Sequence, residues 1–373
     1  MKKVGIITMH RVLNYGSSLQ AYALYKKIID LGYDCEIIDY IYPNEYHKTI
    51  CSRKLSSKDK LIFLLNRIKF FILYRASIQK RRFSEFWKEN VKLSITFKNQ
   101  KEIYDNPPKY DIYLVGSDQV WNPNCMKGDA VFFCDFIKDK PKLSYASSFS
   151  ISKIQEGYKE LYKHYLYNFS DIGVREDAGV SLIKELVQKE AKLVCDPTLL
   201  LSKDDYIYLS KQSDIQFKEP YILVYALSYA YNPYPILDDV VYQIQKQLNI
   251  KVVYLHVNAI DHYHIGKSIT SAGPNEFVRL FMDASFIVTS SFHGTAFALN
   301  FQKPFYAIIP NKLSSDSRIQ SLLSRVGAED RAVCIEDDDI NKLDINMDYT
   351  KIQNNLDEFR KESILWLENV LNK

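Results

Sequence analysis

KVGIITMHRVLNYGSSLQAYALYKKIIDLGYDCEIIDYI, residues 3–41, is the stretch that decides the fold. KVGIITM (3–9) reads as a short buried strand, followed by a polar turn. The helix SSLQAYALYKKIIDLG (17–32) and a second apolar strand, CEIIDYI (35–41), complete the unit. Short apolar strands that alternate with helices build parallel sheets from βαβ units. The alternation continues through DIYLVGS (111–117), LSYASSF (143–149), a helix near 154–168, DIGVR (171–175), the helix 177–189 and KLVCD (192–196). Residues 197–219, running from Pro197 up to Pro220, break the pattern and are expected to be a linker. A second set follows: PYILVYAL (220–227), a helix near 236–248, KVVYLHV (251–257), the helix 275–283, SFIVTS (285–290), a helix from Thr295 and KPFYAII (303–309). The expected fold class is therefore α/β, with two Rossmann-like domains facing a central cleft. Residues 1–196 plus the C-terminal helix 352–373 form the first domain, and 220–351 the second. Ligands of such sheets bind beyond the carboxyl ends of strands, so chemistry is sought in the turns after them.

The 373 residues, 47% hydrophobic and 25% charged, have the balance of a globular protein with room for two cores. That excludes a disordered chain, a coiled coil and a collagen-like fibre. The six cysteines are scattered without paired spacing, which gives neither a zinc knuckle nor a disulfide framework. The apolar start is too short for a signal peptide, and no run approaches a membrane span. A cytoplasmic location is expected.

Charge is uneven along the chain. Residues 48–82 hold 11 Lys and Arg against one acid, Asp59, while the whole chain carries only +4. Inside this window LIFLLNRIKFFILY (61–74) is strongly apolar. The window has the composition of a basic amphipathic helix lying on an anionic membrane surface, at the inner face of a plasma membrane. The plainer reading is a helix packed on its own domain with solvated cations. Without a recognition motif, one basic window does not indicate nucleic acid.

Four turns could carry chemistry. In HRVLNYGSSLQAYAL (10–24), Asn14, Tyr15, Gly16 and Ser17 stand where a strand hands over to a helix, whose free N–H groups attract anions. The spacing is neither GxGxxG nor a P-loop, and a helix cap by Ser17 or Ser18 is the simpler account. In VGSDQVWNP (115–123), Asp118, Gln119, Trp121 and Asn122 put a carboxylate and two amides beside an indole, a set suited to sugar hydroxyls. In GVREDAG (173–179), Arg175 could hold a carboxylate or phosphate with its planar fork. The alternative is a surface pair with Glu176 or Asp177. In VTSSFHGTAFALNFQKPF (288–305), Ser290, Ser291, His293, Gly294 and Thr295 line a turn into an apolar helix. His293 at that helix start could meet phosphate and trade protons, or could be a buried structural histidine. His256, His262 and His264 follow a strand, but their spacing is no established metal-ligand pattern, and no metal is expected.

Together these turns resemble the polysaccharide pyruvyltransferase family. The likeness rests on NYGSSLQAYAL, GSDQVW, SYASSF (144–149), VRED (174–177), CDPTLLL (195–201) and SSFHGTAFAL (290–299), in that order. It implies transfer of a pyruvyl group from phosphoenolpyruvate to a sugar of a bacterial surface glycan, with formation of a cyclic ketal. It also implies two Rossmann-like domains of the GT-B type. Phosphoenolpyruvate is the co-substrate, no further cofactor is implied, and the acceptor is expected on a polyprenyl diphosphate carrier. Arg175 and His293 match the family's donor-holding positions. Many members read S-x-R-L-H in the last motif, and here Ser291 stands in place of that arginine.

On this reading His293 is the acid, or assists phosphate departure. Asp118 orients or deprotonates the acceptor hydroxyl, and Arg175 clamps the donor. Ser290, Ser291, Gly294 and Thr295 would complete the donor side, while Asn14, Tyr15, Gly16, Ser17, Gln119, Trp121 and Asn122 would line the acceptor side. Two other classes compete: a nucleotide-sugar glycosyltransferase of the same architecture, and a non-catalytic glycan-binding subunit of a polysaccharide assembly complex.

Overall fold

A computed structural model of the chain describes residues 1–43, 75–228, 231–256, 267–311, 318–336, 340 and 343–373, without the side chains of 75–77. The first half folds around a parallel sheet of β1 (Lys3–Ile7), β2 (Asp34–Ile37), β3 (Ile112–Val115), β4 (Lys142–Ser147), β5 (Asp171–Val174) and β6 (Lys192–Leu193), in the order β2-β1-β3-β4-β5-β6. The second half repeats the plan with β7 (Tyr221–Tyr225), β8 (Lys251–Leu255), β9 (Lys267–Ile269), β10 (Phe286–Thr289), β11 (Phe305–Ile309) and β12 (Ala332–Cys334), ordered β12-β11-β10-β7-β8-β9. Every pairing is parallel. Helices cover both faces, so the central strands are apolar along their length; β3, β7 and β10 are buried at every residue.

Both sheets reverse direction next to their first strand. The chain runs outward from β1 to β2 and then returns to the other side of β1 as β3; likewise it runs from β7 through β8 to β9 and returns as β10. The crevice at such a reversal is where α/β sheets bind ligands. Register sets the two walls level: Ile7 pairs with Val115, and Thr289 with Tyr225.

The helices that carry the argument are α1 (Tyr15–Asp30), α2 (Arg75–Asn90), α3 (Asp177–Val187), α4 (Pro197–Leu200), α5 (Pro274–Asp283), α6 (Phe292–Asn300), α7 (Arg318–Val326) and α8 (Thr350–Asn372). One continuous apolar cluster joins the two halves, with Leu19 and Leu24 of α1 in the same core as Phe277 and Phe281 of α5. At its centre Tyr15 stacks on Phe277 with ring centroids 5.2 Å apart. The Tyr15 hydroxyl donates to the His256 carbonyl at 2.9 Å and accepts from Gln79 at 3.0 Å.

Residues 197–219 are built rather than extended. Thr198 to Leu201 and Leu209 are buried, because TLLL and YIYL need a core as any apolar run does. α8 lies across both halves: Ser363 accepts from the Cys195 N–H at 2.9 Å, and Arg360 donates to Leu199 and Asn300.

The apolar part of the basic window, 61–74, lies outside the described residues. The C-terminal end of the basic window, 75–82, lies in α2, where two of its charges have local partners. Arg82 pairs with Asp214 and Glu276 and donates to the Ser271 carbonyl, and Arg81 faces Glu85. Among the described residues no helix is long and apolar enough to cross a membrane.

Candidate active site

The crevice of the first sheet is tied together by small and polar side chains. Gln20 of α1 donates to Thr8 after β1 and accepts from the Ser117 N–H after β3, at 2.9 and 3.0 Å. Gly116 has φ +126°, and a β-carbon there would fall 2.1 Å from the Tyr145 carbonyl oxygen. Two residues on, Asp118 adopts φ 70°, a left-handed conformation that an ordinary residue avoids by roughly 1 kcal/mol. The turn aims its carboxylate inward, where it accepts from the Ser17 hydroxyl at 2.5 Å.

Arg175 leaves the end of β5 and is 5% exposed. One terminal nitrogen donates to Asp196 at 2.7 Å and the other to Asp118 at 3.3 Å. A buried charge is tolerable only when paired, and here two carboxylates share one fork. Burial alone would raise both acids, but the Arg175 guanidinium and the nearby His293 reverse this and hold Asp118 and Asp196 below the usual carboxylate range. Glu176 behaves differently. One of its oxygens accepts from the Ser148 hydroxyl and the N–H groups of Phe149 and Ser150. Burial pushes this carboxyl up, against the pull of Arg175 and Arg318.

His293 arrives from the opposite half. Ser291 caps α6, accepting from the Gly294 N–H at 3.3 Å, so His293 lies in the first helical turn. The helix starts three residues before the expected Thr295. The imidazole is 7% exposed; its Nε2 stands 3.6 Å from Asp196, and its other edge rests on the backbone of Gly16. Phe292 beside it packs under the Arg175 guanidinium, 4.5 Å from ring centroid to guanidinium carbon.

Asp118, Arg175, Asp196 and His293 thus form one buried cluster from both sheets. Among the described residues, Nε of Arg175, Nε2 of His293 and the second oxygen of Glu176 have no hydrogen-bond partner. Buried polar atoms left this way call for a partner, which a bound ligand or an ordered water would supply. The N-termini of α1, α3 and α6 end at or beside the cluster, so their free N–H groups and dipoles add positive potential. The arrangement suits an oxyanion-bearing ligand next to a group that can exchange protons.

Several expected contacts are corrected. Trp121 is fully buried, stacked on Phe133 at 5.6 Å with its indole N–H donating to the Phe132 carbonyl, so it serves the core and presents no face to a sugar. Asn122 caps the helical turn Pro123–Met126, and Gln119 accepts from it. Tyr15 is spent on the interface between the halves. Asn14, rather than Ser17 or Ser18, caps α1, because the helix begins two residues earlier than expected. Ser290 bonds Leu227 across the second crevice, Thr295 donates to the Ser291 carbonyl, and Gly294 abuts Thr289; these three are scaffold. Glu176 is buried and Asp177 accepts from Ser321, so the surface pair with Arg175 does not form. His262 and His264 lie outside the described residues; among those described, no group of three or more His, Cys, Asp or Glu could hold a metal ion.

The residue that sequence reasoning missed is Asp196. Its signal was available, since a carboxylate at a strand end before Pro197 obeys the same rule that singled out Asp118. Phe292 and Glu176 left no comparable mark, because an aromatic or an acid beside a functional residue usually belongs to packing or solvent.

The fold is shared with nucleotide-sugar enzymes of the GT-B type. UDP-GlcNAc 2-epimerase from Methanocaldococcus jannaschii, in complex with UDP-GlcNAc and UDP, superposes with TM-score 0.53 at 14% identity, covering 98% of this chain and 100% of that one. Another structure of the Methanocaldococcus jannaschii 2-epimerase gives 0.51 at 12%, covering 96% and 92%. A putative UDP-N-acetylglucosamine 2-epimerase from Listeria monocytogenes gives 0.51 at 12%, covering 97% and 90%. Identities this low speak for the fold alone. No curated protein matches the sequence. The model of the family described as polysaccharide pyruvyl transferase matches residues 14–311, which includes every member of the buried cluster, and the chain belongs to that family of transferases.

Proposed function

We propose that the protein transfers the pyruvyl group of phosphoenolpyruvate to two hydroxyls of a sugar in a bacterial surface-glycan precursor. The product is a cyclic ketal, and phosphate is released. The observation that carries this reading is the buried Asp118–Arg175–Asp196–His293 cluster at two facing crevices, within a chain of the pyruvyl transferase family.

The atoms balance without a metal or redox group. A proton reaches the enol methylene, which becomes the methyl; one sugar oxygen bonds C2. The bond between C2 and the phosphate oxygen then breaks, and the second sugar oxygen closes the ring. Of the two hydroxyl protons, one replaces that given to the methyl and the other leaves with phosphate. His293, with Nε2 facing Asp196, is the group to hold and move a proton, a role that typically contributes ~10²–10⁴-fold. Arg175 meets donor oxygens, and a fixed guanidinium aimed at developing charge is often the larger contribution. Asp118 orients the acceptor. Its lowered pKa makes it a weak base while Arg175 is bound to it; donor oxygens that compete for Arg175 would raise its basicity as the donor arrives.

Incubation with phosphoenolpyruvate and a panel of lipid-linked glycans tests the proposal. A product heavier by a pyruvate ketal, with an equivalent of phosphate, is expected, and His293→Ala should abolish it while the fold survives. Stabilisation by a nucleotide sugar but not by phosphoenolpyruvate would favour the glycosyltransferase instead. We further propose that residues 48–82 bring the cleft to an acceptor on a polyprenyl diphosphate. Each cation near an anionic surface contributes about 1 kcal/mol. Changing Arg67, Lys69, Arg75 and Arg81 to Gln should abolish salt-sensitive vesicle binding; Arg82 is left out because its side chain is largely buried against Asp214 and Glu276, whereas Arg81 is exposed. Equal flotation of both proteins would refute it.

A further inference from the structure

The turn that aims Asp118 into the cleft is held from a neighbouring loop. Both backbone groups of Ser148, just after β4, clasp it: the Ser148 N–H donates to the Asp118 carbonyl at 2.9 Å, and the Ser148 carbonyl accepts from the Trp121 N–H at 3.3 Å. Asp118 and Ser147 also pair as an isolated bridge, so the two loops lie side by side. Ala146 and Ser150 have φ 50° and 52°, and Asp118 has 70°, which gives these loops three non-glycine residues in the left-handed conformation. Residues held so persist only where their surroundings over-determine them. Here the determining group is the Glu176 carboxyl. One of its oxygens accepts from the Ser148 hydroxyl at 3.0 Å and from the N–H groups of Phe149 and Ser150 at 2.8 and 3.1 Å. Successive N–H groups that converge form a concavity for an anion, and Glu176, 1% exposed, fills it from within the fold. Glu176 stands at the N-cap position of α3, yet its side chain makes no cap bond. The carboxyl is directed to the loop and not to its own helix.

We infer that Glu176 is a positioning residue for Asp118: through Ser148 it fixes the turn from which Asp118 meets the acceptor. The same turn sets the Asp118 carboxylate on Arg175 and Ser17. The role in turnover rests on the proposed pyruvyl transfer, but the path from Glu176 through Ser148 to Asp118 does not. A residue that served stability alone would hold only its own loop. Its loss would then add to the loss of Asp118, because effects without a shared partner are additive.

Hydrogen exchange over 115–122 and 143–151 in the full-length protein tests it on wild type, Glu176→Ala, Glu176→Asp and Glu176→Gln. Exchange should rise over both segments in Glu176→Ala and return toward wild type in Glu176→Gln, which keeps an acceptor oxygen. Glu176→Asp withdraws the carboxyl by one methylene and should resemble Glu176→Ala; it guards against a failure of that variant to fold. In turnover, displacing Asp118 by about an ångström corresponds to about a 100-fold loss of kcat/KM for the acceptor, with the Kd for phosphoenolpyruvate unmoved. In an Asp118→Asn background the same substitution should cost less than about twofold. Exchange that rises over 143–151 alone would overturn the inference, as would losses that multiply in full in the double variant. A donor Kd that weakens in step with acceptor use would place the effect on Arg175 and overturn it too. Should the exchange pattern appear while phosphoenolpyruvate is not turned over, the positioning of Asp118 stands and the proposed reaction falls. Should neither appear, both fall.

Discussion

Gly16 lies flat against His293: a β-carbon on Gly16 would fall 2.2 Å from Nδ1 and 2.4 Å from Cγ of the imidazole. The first turn of α1 and the first turn of α6 thus meet with only a hydrogen between them, and the imidazole is held from the far half of the molecule. The glycine earns its place by close approach, since no positive φ is involved.

Gly16→Ala should therefore disturb the ring more than the fold. Overpacking costs roughly 1–3 kcal/mol, partly offset by about 1 kcal/mol of helix propensity. Displacing a reacting group by an ångström can reduce turnover by about 100-fold. Expected are a melting temperature close to wild type and a large loss of phosphate release. Full activity in Gly16→Ala would show that the imidazole does not work from this position.

Arg175→Lys should impair donor use and stability together. Lysine keeps the charge but cannot bridge Asp118 and Asp196 with two prongs, which leaves one buried carboxylate under-satisfied at about 1–3 kcal/mol. Steady-state kinetics with each substrate varied should show a raised KM for donor. An effect confined to the acceptor would move Arg175 to the other side of the cleft.

The three buried acids predict opposite pH responses. Asp118 and Asp196 are held low, so the stability they contribute is present above the ordinary value of about 3.9 and is lost as pH falls through their lower folded values. Glu176 is held high, so its contribution is present below about 4.3 and is lost as pH rises through the higher folded value. Glu176→Gln retains an acceptor for Ser148, Phe149 and Ser150 and removes the titration. Its melting temperature should gain on wild type as pH is raised from acid to neutral. A difference that stays flat across that range would mean the carboxyl titrates alike in both states.

Tyr15→Phe removes a buried hydroxyl that links Gln79 to the His256 carbonyl across the two halves. Chemical denaturation should show a loss of about 1–2 kcal/mol, with the donor Kd little changed. Loss of donor binding without loss of stability would return Tyr15 to the cleft.

Much of this protein was determined by its sequence alone. Short apolar runs separated by helical ones admit parallel sheets on both sides of 197–219, and the strand-end rule leads directly to Asp118, Arg175 and His293. Those inferences are local: they need only the period of a strand, the period of a helix and the position of a turn. Which side chain of a turn faces the cleft is not local. Trp121 follows the same strand as Asp118 yet turns into the core, because the left-handed backbone at Asp118 reverses the chain and Phe133 offers the indole a flat partner. Asp196 stands at a strand end as Asp118 does, but nothing local shows that it pairs with Arg175, or that Arg318 lies nearby. Tertiary packing sets them there, with Phe292 of α6 under the Arg175 guanidinium and Ser321 of α7 on Asp177. A buried guanidinium must find its carboxylates wherever the fold delivers them: Asp118 and Asp196 come from the ends of other strands of the same sheet, whereas His293 and Phe292 reach it from the other half.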